Sequence, residues 1–239
     1  MKPPSKSRRI DPDGGIHPLM IGALIFDLDG LLADTECLHC RAYQMALREH
    51  DVELRESDYA EHWVRFGRGI ADWLTINGLA LDPHALRLRK SKHYLDLLAS
   101  SLRPMEGALE FLDAWHGRTK IALASSSYRD AIDGVLVGLG IPHFFEVIVS
   151  GLDVAEVKPA PDIFLKAARD LGVAPADCLV FEDAEKGVTA ARRAGMRCIA
   201  VPNPYTRHHD FSKATRVCTS LTEVTDDFLQ KLLAVPLKV

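Results

Sequence analysis

Residues 20–30 read MIGALIFDLDG, and no other segment constrains the fold as tightly. Apolar residues run almost unbroken to Phe26. Asp27 and Asp29 then follow two positions apart, ahead of Gly30. A strand that is apolar at successive positions is buried on both faces, the condition of a parallel sheet covered by helices. In extended chain, residues i and i+2 point the same way, about 6–7 Å apart, so both acids can face one ligand unless the turn at Gly30 shifts them.

The next stretches are helical. Residues 35–50 place Leu38, Ala42, Met45 and Ala46 along one side, with Asp34 as the expected N-cap. Helical patterns continue over 57–65, 69–77 and 83–99, punctuated by Gly67, Gly69 and Gly78, and no strand is expected between about 36 and 101. From residue 103 the pattern alternates. Expected helices near 106–115, 129–138, 161–171 and 185–194 each lead into strands at 120–126, 145–151, 177–183 and 197–201. A short strand near 216–218 and a helix near 221–234 complete the chain. Alternation of this kind predicts an α/β fold: a Rossmann-like, doubly wound parallel sheet core with an inserted all-helical cap domain. The expected boundaries are a flexible tail at 1–18, a core at 19–35 and 102–239, and a cap at 36–101.

A length of 239 residues suits one large domain or two modest ones. The net charge of −4 points to neither nucleic acid nor an anionic membrane, and no apolar run is long enough to span a bilayer. The opening MKPPSKSRR lacks the apolar segment of a secretory signal. Five scattered cysteines fit reduced thiols in the cytoplasm. Cys37 and Cys40 have metal-knuckle spacing, but no second pair accompanies them.

In open α/β sheets, ligands bind beyond the carboxyl ends of the strands. Four polar groups fall near such ends: Asp27/Asp29, Ser125/Ser126/Ser127, Lys158, and Glu182/Asp183. Carboxylates gathered at one point repel one another unless a cation neutralises them, and hard oxygen ligands suit Mg²⁺. Asp27 and Asp183 are the expected side-chain ligands, with Glu182 direct or through water. Serine hydroxyl and lysine ammonium can hold phosphoryl oxygens. The chemistry that fits is phosphoryl transfer, with one carboxylate attacking phosphorus and the other moving the proton.

These residues resemble the haloacid dehalogenase-like (HAD) superfamily, subfamily IA, in its phosphatase and β-phosphoglucomutase branch with a helical cap. Asp27-Leu28-Asp29-Gly30-Leu31, Ser125, Lys158 with Pro159, and Glu182-Asp183 with Gly187 match its four motifs in order and spacing. The resemblance implies Asp27 as nucleophile and Asp29 as general acid/base. It implies Mg²⁺ on Asp27, Asp183 and the backbone carbonyl of Asp29. It also implies the substrate phosphate on Ser125, Lys158 and nearby amides, Ser126 among them. His39, twelve residues past Asp27, matches a histidine near the substrate in some relatives, and Arg68 in the glycine-flanked RFGRG turn is a further candidate.

A dehalogenase normally lacks the second aspartate, so Asp29 argues for a phosphatase of a sugar or polyol phosphate. The alternative is a sugar phosphomutase. Mutases of the branch carry a lysine just before the cap glycine and an arginine three residues after it. Aligned on Gly67, this chain has Phe66 and Ile70. The expected partner is a small phosphorylated metabolite, with neither nucleic acid nor membrane, bound by a monomer or weak homodimer.

Overall fold

The computed structural model describes residues 21–234; the expected tail at 1–18, and Met20, lie outside them. Six parallel strands form one sheet in the order β3-β2-β1-β4-β5-β6. They are β1 (Ala23–Phe26), β2 (Lys120–Ser125), β3 (Val147–Ser150), β4 (Cys178–Glu182), β5 (Arg197–Ala200) and β6 (Arg216–Val217). All four residues of β1 are buried, as its unbroken apolar run requires. Order reverses at β1, which leads right to β4 and left to β2, so the crevice beyond its carboxyl end is the expected ligand position.

Helices α5 (Ala108–Trp115), α6 (Arg129–Leu139), α7 (Asp162–Leu171), α8 (Glu185–Arg193) and α9 (Asp226–Ala234) accompany the strands, here numbered after the four helices that directly follow β1. Those four are α1 (Glu36–Arg48), α2 (Glu56–Tyr59), α3 (Ile70–Ile76) and α4 (Pro83–Ser101). A π-helical turn, Ala60–Arg65, continues α2. Two apolar clusters cover the two faces of the sheet. A third, with Tyr59, Trp73 and Leu74, belongs to the inserted helices. The final helix is shorter than its apolar pattern predicts: Leu221–Glu223 forms a separate 3-10 turn ahead of α9.

The chain leaves and re-enters the sheet layer through adjacent segments. Asp34 N donates to Arg103 O at 2.9 Å, and Met105 N donates to Leu32 O at 3.0 Å. Asp34 is not the N-cap of α1. Thr35 holds that position, and its hydroxyl is drawn away to Asp29. Helix α4 reaches back over the core, where Tyr94 and Leu98 join the same cluster as Phe26 and Leu123. Among the described residues, no helix is long and apolar enough to cross a membrane.

Candidate active site

Register places the first acids. Phe26 and Phe181 are partners across β1 and β4, with rings stacked at 4.8 Å. Each immediately precedes an acid. Asp27 N continues the ladder, donating to Phe181 O at 3.0 Å, and so Asp27 comes alongside Glu182. Between them lies the ammonium of Lys158, from the loop before α7. Its Nζ donates to Asp27 Oδ1 at 2.5 Å, Glu182 Oε1 at 2.6 Å and Ala124 O at 2.8 Å. These contacts use all three donors of an ammonium.

Burial favours uncharged forms, and here its two effects diverge. It pushes Asp27 up to about 7; Lys158 offsets part of that rise, and the charges of Glu182 and Asp29 add to it. Burial would also strip Lys158 of its proton, but the carboxylates of Asp27 and Glu182 outweigh it and hold the ammonium charged. Glu182 fits only because residue 187 is glycine: a Cβ there would stand 1.9 Å from the Glu182 carboxyl.

Asp29 has different company. Its carboxylate accepts from Thr35 Oγ1 at 2.6 Å, Ser127 Oγ at 2.7 Å, His39 Nε2 at 2.9 Å and Ser125 Oγ at 3.2 Å. Burial raises its proton affinity, but His39 and the hydroxyl donors outweigh burial and keep it below the usual carboxylate range. Behind His39, Lys90 Nζ lies 2.6 Å from Nδ1. With Lys90 charged, Nδ1 accepts and Nε2–H donates to Asp29, which fixes a neutral imidazole. Burial and the charge of Lys90 both favour that neutral state. Tyr94 stacks on His39 with centroids 4.0 Å apart, and Lys90 sits 4.4 Å over the same tyrosine ring.

Asp183 faces Asp27 from the β4–α8 loop. Asn203 Nδ2 donates to Asp183 Oδ2 at 2.8 Å and to Gly30 O at 3.0 Å, tying the two acidic loops together. Gly30 has φ of 79°, and a Cβ there would lie 2.3 Å from Asn203 Nδ2. On the cap side Glu36 is buried, accepts from Tyr59 Oη at 2.6 Å, and is pushed up to about 7 by burial and the charge of Asp29.

This donor set fits a hard divalent cation. Burial, then the charges of Glu182 and Asp27, drive Asp183 well above the usual range; Lys158 pairs with Asp27 and Glu182, and among the described residues Asp183 has only the neutral amide of Asn203. A dication would offset the excess of negative charge. Among the described residues, no three His, Cys, Asp or Glu side chains form a complete chelate. Oxygen donors from backbone and water would therefore have to complete the coordination, as is usual for Mg²⁺.

The fold thus brings together Asp27, Asp29, Ser125, Lys158, Glu182, Asp183 and His39. Ser126 follows Ser125 directly but its side chain is exposed, and Arg68 is exposed too, over the Phe66 ring, 5.1 Å from its centroid. Ile70, by contrast, is buried. Ser127, one of the three serines after β2, joins the site, as do Thr35 and Glu36 just past the first acidic loop; Tyr59, Lys90 and Asn203 join it with no signal in the sequence.

Comparison with known proteins gives one consistent picture. The haloacid dehalogenase-like hydrolase profile matches residues 21–195. Fructose-1-phosphate phosphatase YqaB of Escherichia coli K12 is 35% identical over 182 residues, 74% of this chain and 95% of that relative. The crystal structure of a CbbY point mutant from Rhodobacter sphaeroides, in complex with xylulose-(1,5)bisphosphate, superposes with a TM-score of 0.78. It is 30% identical, over 84% of this chain and 95% of that one. β-Phosphoglucomutase from Clostridium difficile superposes at 0.76 with 26% identity, over 90% of this chain and 98% of that one.

Proposed function

Because this chain belongs to the haloacid dehalogenase-like hydrolases, in the branch with a helical cap, we propose that it is an Mg²⁺-dependent phosphatase of a small sugar or polyol phosphate, acting through an aspartyl phosphate. One observation carries the reading. The two acids that follow β1 have opposite surroundings, Asp27 bound to an ammonium and Asp29 to hydroxyl and imidazole donors. Asp27 must be ionised to attack, which Lys158 and a bound dication would favour against burial, and Asp29, ionised at rest, must receive its proton through the imidazole it is bound to.

In the first step an Asp27 oxygen attacks phosphorus and the bond to the leaving oxygen breaks. Asp29 delivers a proton to that oxygen. The Lys90–His39–Asp29 chain gives the proton a route: Nε2–H passes to Asp29 while Lys90 replenishes Nδ1. In the second step Asp29, now charged, takes a proton from water. The water oxygen attacks phosphorus, the bond to Asp27 breaks, and inorganic phosphate leaves. Ser125 and Lys158 would hold the phosphoryl oxygens, Ser125 by giving up its bond to Asp29 and Lys158 by giving up one of its three present acceptors, and Lys158 offsets the repulsion between nucleophile and ester. Asp27, Asp183 and the backbone carbonyl of Asp29 would hold Mg²⁺, with Glu182 behind them. When bound, the ion supplies positive charge to the transferring phosphoryl group. The exposed side chain of Ser126 leaves its backbone amide as its contact to the phosphoryl group, and exposed Arg68 would meet only distal parts of the substrate.

YqaB supports a sugar phosphate as substrate. Phe66 and Ile70 stand where the mutases carry cations, which favours hydrolysis over phosphoryl return. The adjacent exit and return segments support a cap at 36–101 on a core of 19–35 and 102–239. Five free thiols suit a cytoplasmic protein, with a monomer or weak homodimer as the working assembly.

The test is Mg²⁺-dependent phosphate release across a panel of phosphomonoesters, with Asp27→Asn as control. Release that vanishes in the variant is the expected result. Release that survives in it sinks the mechanism.

A further inference from the structure

Lys186 belongs to the core helix α8, yet its ammonium ends in the cap. Nζ donates to Trp63 O in the π-helical turn at 3.0 Å. The glycine of the cap's RFGRG turn packs over it: a Cβ on Gly67 would lie 3.3 Å from Lys186 Cδ, 3.9 Å from Nζ and 3.3 Å from the backbone oxygen of Lys158. Gly67 therefore sits on two core lysines at once. One points into the carboxylates of the reacting centre. The other points along the cap.

The second lysine has capacity to spare. An ammonium has three donors, and among the described residues Lys186 uses one, on a neutral carbonyl. None of the described carboxylates neutralises it by direct contact. The turn whose Gly67 packs on it carries two cations of its own, Arg65 and Arg68, with guanidinium groups 5.6 Å and 5.1 Å from the centroid of the exposed Phe66 ring. Arg65 reaches Glu61 only at 3.4 Å. A half-buried ammonium with donors left over, beneath a basic turn, suits an anion.

We propose that Lys186 is the specificity-determining residue of this site: it binds a second anionic group, phosphate or carboxylate, at the far end of the substrate's leaving group. This rests on the phosphatase reading and narrows it, from any sugar phosphate to one with acid at both ends. Lys158 serves the phosphoryl group that is transferred; Lys186 serves the one that stays. The bond chemistry is unchanged, and the contact acts on affinity.

Binding is measured by calorimetry with Mg²⁺ in the Asp27→Asn background, which cannot turn over. The probes are fructose 1-phosphate and fructose 1,6-bisphosphate, with and without Lys186→Met. Removing Lys186 should weaken the bisphosphate about tenfold or more and the monophosphate less than about twofold. Lys186→Arg should keep most of the difference, and thermal melting checks that each variant is folded. Equal weakening of both probes would make Lys186 a cap clasp or a counter-charge to Glu36 and Asp183, and would overturn the proposal. So would no preference for the bisphosphate in the Lys186 protein, or no binding of either. Hydrolysis of p-nitrophenyl phosphate, which has no second acid, is scored separately. Its loss in Asp27→Asn tests the phosphatase reading alone.

Discussion

Lys90 Nζ stands 2.6 Å from His39 Nδ1, so a cap lysine on α4 is joined through an imidazole to the carboxylate proposed as acid/base. Burial brings Lys90 down to about 8, with Asp29 and Glu36 holding it up against further loss. Lys90 is therefore charged below about pH 8 and neutral above it. If it replenishes the proton that His39 passes on, kcat falls on the alkaline side with a midpoint near 8. Lys90→Met should lower the plateau about tenfold or more and abolish that limb, with KM little changed. A pH profile of kcat for both proteins decides it. A limb that persists in Lys90→Met belongs to another group.

Glu36 makes a prediction about stability. Its folded-state pKa is about 7, raised from 4.5. A raised carboxyl contributes stability that is fully present below about 4.5 and is lost as pH rises through about 7. The wild-type protein in chelator should lose stability between about pH 5 and about pH 8, with up to about 3 kcal/mol of the loss due to Glu36. Glu36→Gln keeps a hydrogen-bond partner for Tyr59 without the charge, and should flatten the curve. Urea midpoints at the two pH values measure it. An unchanged slope in Glu36→Gln would mean the carboxyl stays ionised in the fold.

The reacting half of the site was legible in the sequence because sheet register carries it. Asp27 and Glu182 follow Phe26 and Phe181, which pair across adjacent strands, so reading the strands also located their ends. The cap half was not. Lys90 lies fifty-one residues from His39 in a basic helix whose pattern marks no position as special. Only the packing of α1 on α4 selects it. Asn203 likewise sits in an ordinary loop, and its role comes from the positive φ of Gly30, which brings backbone and amide together. The side chains of Ser126 and Ser127 part for a local reason. The chain turns after β2, leaving Ser126 exposed and aiming the Ser127 hydroxyl at Asp29.

Asn203 tests the metal assignment. Its amide orients Asp183 at 2.8 Å while anchoring the first acidic loop through Gly30 O. Groups that orient a ligand typically contribute about 10–100-fold to metal affinity. Asn203→Ala should raise the Mg²⁺ concentration for half-maximal activity by about that factor, with kcat largely recovered at saturation. Mg²⁺-dependent thermal stabilisation, measured without substrate, should shift in parallel. If neither quantity moves, Asp183 is not held for a cation.

Gly187 gives the sharpest structural test, because two rules oppose each other there. It lies in the first turn of α8 with ordinary helical backbone, where replacing glycine with alanine normally stabilises by about 0.5–1 kcal/mol. Here the added methyl would fall 1.9 Å from the Glu182 carboxyl, which is itself buried and bound to Lys158 at 2.6 Å. Glu182 is only 1% exposed, so it cannot move aside without displacing its neighbours. Moving it would leave Lys158 short of one of its three partners, and overpacking of this kind costs about 1–3 kcal/mol. Gly187→Ala should therefore lower the melting temperature. It should also lower kcat by about a hundredfold, since Lys158 would no longer be held against Asp27 in its reacting position. Circular dichroism melting and steady-state kinetics measure both on the same preparation. A higher melting temperature with unaltered kcat would mean that Glu182 can swing aside freely, and that its pairing with Lys158 does not position the site.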